Sequence, residues 1–215
     1  MKNSSPTLFE GMTETEYKNL LDGLKATSEK FKKGRIFYTF EETNDLIGYV
    51  TEGVVKIVKT DEGGENIIME RLRKNSIFGE RISSACIGGD YVVAIAETDC
   101  TVLFFPYSNL SLMSTFDSVL SNKFLSNLFG VMCAKTTNLC AKIGVVSNRT
   151  IRDKLLAYFK MAAIRHDSNT FTLDMSLTAL AEYLCVDRSA MMRELKKLKE
   201  DNVIELKDKK LTICE

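Results

Sequence analysis

Residues 176–201, SLTALAEYLCVDRSAMMRELKKLKED, read as two short helices around a tight turn at Cys185-Val186. In the first helix Leu177, Leu180, Ala181 and Leu184 recur at a 3–4 spacing, which buries one stripe and leaves Glu182 and Tyr183 pointing elsewhere. Ser176 or Thr178 caps its start. Asp187 stands where the second helix needs an N-cap, its carboxylate accepting orphan backbone N–H groups at the positive end of the helix dipole. Met191, Leu195 and Leu198 form the buried stripe of that helix, and Arg188, Ser189, Met192, Arg193 and Lys196 gather on the opposite face. Five basic residues meet one acid, Glu194, between Arg188 and Lys199. A charged outer face is most often only solvated; a helix so arranged also fits the phosphate-lined major groove of double-stranded DNA.

The composition is that of an ordinary soluble protein, with 215 residues, 45% hydrophobic and 27% charged, enough for one large or two modest cores. It excludes the disordered and fibrous classes. No apolar run approaches the roughly 20 residues that span a bilayer, and the start, MKNSSPTLFEGMTETE, lacks the apolar core of a signal peptide. A cytoplasmic protein with no membrane partner is expected. Formal charge is zero overall, but from Ser147 onward 13 basic residues face 11 acidic ones, against 16 and 18 before it, a weak asymmetry that favours a DNA-binding C-terminal part. The six cysteines include no C-x-x-C pair, so neither a zinc module nor a thioredoxin-like motif is indicated, and buried reduced thiols are expected.

Thr13-Glu14-Thr15-Glu16 is a capping box opening a helix with apolar Tyr17, Leu20, Leu21 and Leu24. From Phe31 the period changes. IFYTF, LIGYVTEG, VVKIVKT, NIIMERL, VVAIAET and CTVLFFP are short β-rich runs separated by turn signals at Glu52-Gly53, Asp61-Glu62-Gly63-Gly64 and Gly88-Gly89-Asp90. They predict a closed or double-sheet antiparallel domain. Residues 118–146 contain no proline and no cluster of turn residues, which predicts one long helix. Along it Leu125, Leu128, Met132, Leu139, Ile143 and Val146 repeat at steps of 3, 4, 7, 4 and 3, the seam of a two-stranded coiled coil and hence of a homodimer, while Phe124, Phe129 and Val131 are expected to face the β-domain. A fresh helix starts at Ser147 or Asn148, with Ile151, Leu155, Phe159 and Ala162 as its buried line. His166, the only histidine, falls beside a turn and reads as solvated. Phe171-Thr172-Leu173 reads as a brief strand.

The run LAEYLCVDRSAMMREL resembles the helix-turn-helix of the Crp/Fnr family of bacterial transcription regulators, and the resemblance extends over nearly the whole chain, ending in a short hairpin at 203–213 like that family's wing. It implies an α+β fold: an N-terminal antiparallel β jelly-roll sensor domain of the cyclic-nucleotide-binding type at 1–117, a dimerisation helix at 118–146, and a C-terminal winged helix-turn-helix at 147–215. It also implies a near-palindromic operator read by Ser176, Asp187, Arg188, Ser189, Met192, Arg193 and Lys196, with RNA polymerase as a partner of any activator. Phe78-Gly79-Glu80 matches the family's F-G-E motif, which holds the ribose and phosphate of cyclic AMP. The Arg-Ser pair that clamps the cyclic phosphate is here Asp90-Tyr91, a carboxylate that repels where a guanidinium attracts. Cyclic AMP is therefore not expected as the ligand, and the motif residues are expected to serve the fold. Lys135 and Thr136 occupy the stretch where family members let an effector meet both subunits. Lys135 is either an e/g-like position reaching solvent or an acid of the partner helix, or the counter-charge of an unidentified anionic effector. The first cysteine, Cys86, lies too far along the chain for the iron–sulfur cluster of Fnr-like sensors, so no such cluster is expected.

Three function classes remain: a homodimeric DNA-binding regulator, a ligand-binding module that does not read DNA, and an enzyme. The enzyme class is weakest, because the chain offers no nucleophile–base or metal-ligand constellation and a single histidine. The binding module leaves the basic run from Arg188 to Lys199 without a purpose.

Overall fold

The computed structural model describes residues 6–40, 45–60, 63–64, 66–79 and 91–214. Glu80, Cys86, Asp90 and the turns expected at Asp61-Glu62 and Gly88-Gly89-Asp90 lie outside the described residues. The chain forms two compact units, Met1–Thr137 and Asn138–Glu215, and the division falls inside the long helix rather than at either of its ends.

The first unit opens with α1 (Glu14–Leu24), started by the expected capping box: Glu16 N donates to Thr13 Oγ1 at 3.2 Å and Thr13 N donates to Glu16 Oε2 at 2.7 Å. Among the described residues eight strands follow: β1 (Thr27–Phe31), β2 (Ile36–Thr39), β3 (Leu46–Glu52), β4 (Val55–Thr60), β5 (Asn66–Leu72), β6 (Ile77–Phe78), β7 (Tyr91–Ala96) and β8 (Cys100–Pro106). They make two antiparallel four-stranded sheets, ordered β1-β8-β3-β6 and β2-β7-β4-β5. Strand β1 begins ahead of Phe31, where the sequence placed the change of period; its TSEKF run is almost wholly exposed and carries no alternation, so only its pairing with β8 makes it a strand.

Alternation along β8 explains why CTVLFFP reads as an unbroken apolar run. Cys100, Val102 and Phe104 point into the core between the sheets, with Val50, Phe78 and Ala94. Leu103 and Phe105 point the other way, into a second core with Leu20 and Leu24 of α1 and with Phe124 and Val131 of α2 (Ser118–Val146). A 3₁₀ segment, Tyr107–Thr115, leads into α2, whose start is capped by the Asp117 carboxylate, accepting from Val119 N and Leu120 N. Two glycines let sheet and loop close up. A Cβ at Gly48 would fall 2.2 Å from the Phe78 ring, and one at Gly79, which has φ +89°, would fall 2.3 Å from the Leu46 carbonyl oxygen.

The face of α2 departs from expectation. Phe124 and Val131 are buried, but Phe129 is 72% exposed, and Leu128 and Met132 pack partly against the second core. The exposed stripe therefore runs through Leu125, Phe129 and Ile143.

The second unit holds α3 (Ile151–His166), β9 (Thr170–Thr172), α4 (Leu177–Leu184), α5 (Arg188–Glu200), β10 (Ile204–Lys207) and β11 (Lys210–Ile213), the strands ordered β10-β11-β9. The cap of α3 is Thr150, later than the expected Ser147 or Asn148, since it is Thr150 Oγ1 that accepts from Asp153 N. His166 ends that helix and stacks on Phe171 with centroids 5.6 Å apart, so it is not a loop residue. Of the described cysteines Cys100 is buried, whereas Cys133, Cys140 and Cys185 are exposed free thiols, against the expectation of burial.

Helices α1 and α2 are tied by Lys123 Nζ, 2.7 Å from Glu16 Oε1. The Lys123 ammonium and the Thr13 backbone N–H hold the Glu16 carboxyl down at about 2, from an ordinary 4.5. A carboxyl depressed in the folded state stabilises fully above about pH 4.5 and loses that contribution as pH falls towards 2. Replacing Lys123→Met should raise the Glu16 midpoint while α1 persists. Side-chain carboxyl NMR between pH 2 and 6 measures it, and an unmoved midpoint would show that Lys123 is not the cause.

Candidate nucleic-acid interface and effector region

The turn between α4 and α5 is closed at both ends by local hydrogen bonds. Ser176 caps α4, its Oγ accepting from Ala179 N at 3.1 Å. Cys185 ends that helix in the left-handed region, φ 54°, a position where glycine is the usual solution, and Val186 N donates back to Ala181 O at 3.1 Å. Two residues on, Asp187 caps α5, its carboxylate accepting from Ala190 N at 2.8 Å. Lys154 Nζ donates to Leu184 O at 3.3 Å, satisfying one of the carbonyls that α4 leaves open. Tyr183 does not point away as the helical spacing suggested. It is 9% exposed, edge-on to Tyr158 at 5.7 Å, with Lys142 Nζ 4.8 Å from its ring centroid. Burial, then the neighbouring Tyr158, pushes its phenol up from the ordinary value.

Met191, Leu195 and Leu198 anchor α5 in the core of this unit. That anchoring leaves Arg188, Ser189, Met192, Arg193 and Lys196 exposed along one face, as the sequence placed them. Within the face the charges differ. Lys196 lies 3.6 Å from Glu200, and Lys197, flanking it, 2.8 Å from Glu194. Arg188 and Arg193 have no ion-pair partner among the described residues, so both guanidinium groups, with their forked donors, stand uncompensated towards solvent. Beyond α5 the β10–β11 hairpin turns at Asp208, and Lys207 sits directly across the ladder from Lys210, both exposed beside exposed Lys209. Like charges directly opposite one another work against the hairpin. The sequence reading singled out none of these lysines, although the run KDKK at the wing tip was the available signal.

The residues marked for an effector are only partly brought together. Phe78 is fully buried between the sheets and Gly79 abuts the Leu46 carbonyl, so both have structural reasons to be what they are. Glu80 is outside the described residues. Tyr91 begins β7 opposite Thr60 and is half exposed, and the exposed Thr136 hydroxyl donates to Met132 O within its own helix. Lys135 neither reaches solvent nor awaits an acid from a partner helix. Its ammonium lies 3.2 Å from Glu70 Oε1 of β5 and donates to Ile77 O of β6 at 3.1 Å, with both side chains about 10% exposed (10% and 11%).

A profile of the cyclic nucleotide-binding domain matches residues 28–114, and one of the Crp-like helix-turn-helix domain matches residues 153–215. Over 193 residues the chain is 23% identical to the global nitrogen regulator of Nostoc sp., which covers 86% of this chain and 84% of that protein. The global nitrogen regulator of Synechococcus elongatus matches with the same identity and coverage. Among solved structures, a CooA variant from Carboxydothermus hydrogenoformans shares the fold with a TM-score of 0.72 at 16% identity, covering 100% of this chain and 94% of that one. The c-di-GMP-responsive global regulator CLP of Xanthomonas campestris gives 0.70 at 15% identity, covering 94% and 100%. A β-sandwich of the cyclic-nucleotide-binding type followed by a winged helix-turn-helix defines a DNA-binding transcription regulator. The chain belongs to the Crp/Fnr family. No helix among the described residues is long and apolar enough to cross a membrane.

Removing one member of a buried ion pair strands the other, whereas replacing both with apolar groups is often neutral. Lys135→Met should thus cost about 3 kcal/mol of stability, and Glu70→Leu added to it should restore most of that loss. Urea unfolding of parent, single and double variants measures the cycle. A double variant no more stable than the single one would mean that the two side chains are not energetically coupled.

Proposed function

We propose that the protein is a cytoplasmic homodimer that reads a near-palindromic operator, acting by binding rather than by catalysis, with 1–117 as sensor, 118–146 as dimer helix and 147–215 as reader. What carries the DNA-reading assignment is the exposed face of α5, where Arg188 and Arg193 are held out by a buried Met191, Leu195 and Leu198 stripe and have no acid to pair with among the described residues. Arg188 lies in the first turn, the end of a reading helix that reaches base edges, and its fork suits the O6 and N7 acceptors of guanine. Ser176 and Asp187 hold the two helix starts beside the phosphates. Ser189, Met192 and Arg193 continue the reading face, Met192 meeting a thymine methyl. Lys196 and the hairpin lysines 207, 209 and 210 act on phosphate, as point charges without sequence preference. RNA polymerase is a partner if the regulator activates.

The dimer reading is supported by α2. Leu125, Phe129, Met132, Thr136, Leu139, Ile143 and Val146 alternate steps of four and three, a regular two-stranded seam, and Leu125, Phe129 and Ile143 are 47%, 72% and 61% exposed. The effector, on this reading, is a small molecule other than cyclic AMP, because Asp90 opposes the phosphate that the motif would otherwise hold. An iron–sulfur cluster is not part of this reading.

Arg188→Ala should cost about 1–3 kcal/mol on the preferred site and relax selectivity at one symmetric base pair, while Lys196→Ala should weaken all DNA alike and flatten the salt slope by about one unit. Anisotropy titrations of both variants on operator and scrambled DNA, across a salt series, separate the two. Equal weakening on both DNAs by Arg188→Ala would assign that residue to phosphate.

Phe129→Glu places a charge in the seam without touching the β-sandwich core, so light scattering at micromolar concentration should show a dimer for the parent and a monomer for the variant. A dimeric variant would move the interface off this stripe.

A further inference from the structure

A pocket of about 300 Å³ opens between β1 and β2, the edge strands of the two sheets. Its floor is aromatic. Tyr38 and Phe104 lie with their rings parallel to within 3°, and Phe37, at an irregularity in the β2–β7 register, stacks on Phe31 at 4.1 Å. Ile36 and Leu46 line it while remaining 49% and 39% exposed, a large apolar area for a β-sandwich to leave uncovered at an edge. The pocket is also lined by Glu29 and Arg35. These opposite charges do not pair with each other, and neither has an ion-pair partner among the described residues. A purely anionic ligand would meet Glu29, a purely cationic one Arg35, and an apolar one would leave both unused.

We propose that this pocket binds a hydrophobic α-amino acid, its side chain on the aromatic floor, its carboxylate on Arg35 and its ammonium on Glu29. The site is separate from the Phe78-Gly79 motif but backs on to it. Tyr38 donates to the Leu46 carbonyl at 2.6 Å, and that same oxygen and hydroxyl crowd the position a Cβ of Gly79 would take, at 2.3 and 2.9 Å. Two residues before Gly79 the Ile77 carbonyl holds the Lys135 ammonium of α2. An occupant pressing on Tyr38 and Leu46 thus acts on a short chain of contacts that ends on the dimer helix; only this last consequence rests on the regulator reading above.

Calorimetry on the full chain tests the site, with L-phenylalanine as the probe, phenylacetate lacking the ammonium and phenethylamine lacking the carboxylate. L-Phenylalanine should bind saturably and about tenfold more tightly than either analogue, the usual contribution of a hydrogen bond to a charged group. Arg35→Gln should erase its advantage over phenethylamine, and Glu29→Gln its advantage over phenylacetate. Both side chains are exposed, so neither variant disturbs the core. Absence of saturable L-phenylalanine binding, equal binding of all three probes, or unchanged affinity in both variants overturns the proposal. Operator binding, read by anisotropy in the same preparations, reports on the regulator assignment separately, because the probe series needs no DNA.

Discussion

The first unit depends on a sheet that is buried on both faces. Strands β3 and β8 send Val50, Val102 and Phe104 into the sandwich and Ile47, Tyr49, Leu103 and Phe105 out towards α1 and α2. Each such side chain taken from water contributes roughly 1.5–3 kcal/mol, so the outer layer is fixed about as firmly as the sandwich. The helices are consequently part of the sandwich unit rather than attachments to it. Any rearrangement of the sheet edge is felt by α2 directly.

Charge enters this interface at one place. Placing Lys135 against Glu70 and the Ile77 carbonyl costs desolvation of two ions, which their attraction offsets only when the geometry is held. An arrangement of that kind responds sharply to small displacements, because a lengthened contact leaves a half-buried ion without its partner while an apolar contact would merely slide. The Lys135 charge is thus answered within its own chain.

Much of this was legible in the sequence, and the failures have specific physical causes. The limits of α2 follow from 29 residues without a proline or a cluster of turn residues, and the capping box and the Asp187 cap rest on short-range chemistry that spacing reveals. Which side of α2 faces the core was legible only in part: Phe124 and Val131 pack inward as expected, but the helix is apolar on two sides at once. Leu128 and Phe129 are adjacent, and nothing local decides that the leucine packs inward and the larger ring stays out. Strand β1 was missed because TSEKF is held by backbone pairing alone, leaving no pattern of burial to read. Tyr183 and Lys135 were misplaced because their partners, Tyr158, Lys142, Glu70 and Ile77, are distant in sequence. The exposed face of α5 was legible since a single amphipathic helix encodes its own exposed side.

The pairing of Thr27 with Phe104 and of Phe31 with Cys100 bears on the order in which the chain assembles. The helix-turn-helix closes through hydrogen bonds spanning no more than a few residues, from Val186 to Ala181 and from Ala190 to Asp187. Loops that must close over most of a domain before any contact rewards them make folding slow, whereas local contacts form quickly. The sandwich therefore waits for β8 to leave the ribosome and meet a strand made long before, while the turn between α4 and α5 closes on its own neighbours. During synthesis the exposed, charged TSEKF edge spends that interval without a partner, and its polar composition is what keeps an unpaired strand from finding a wrong one.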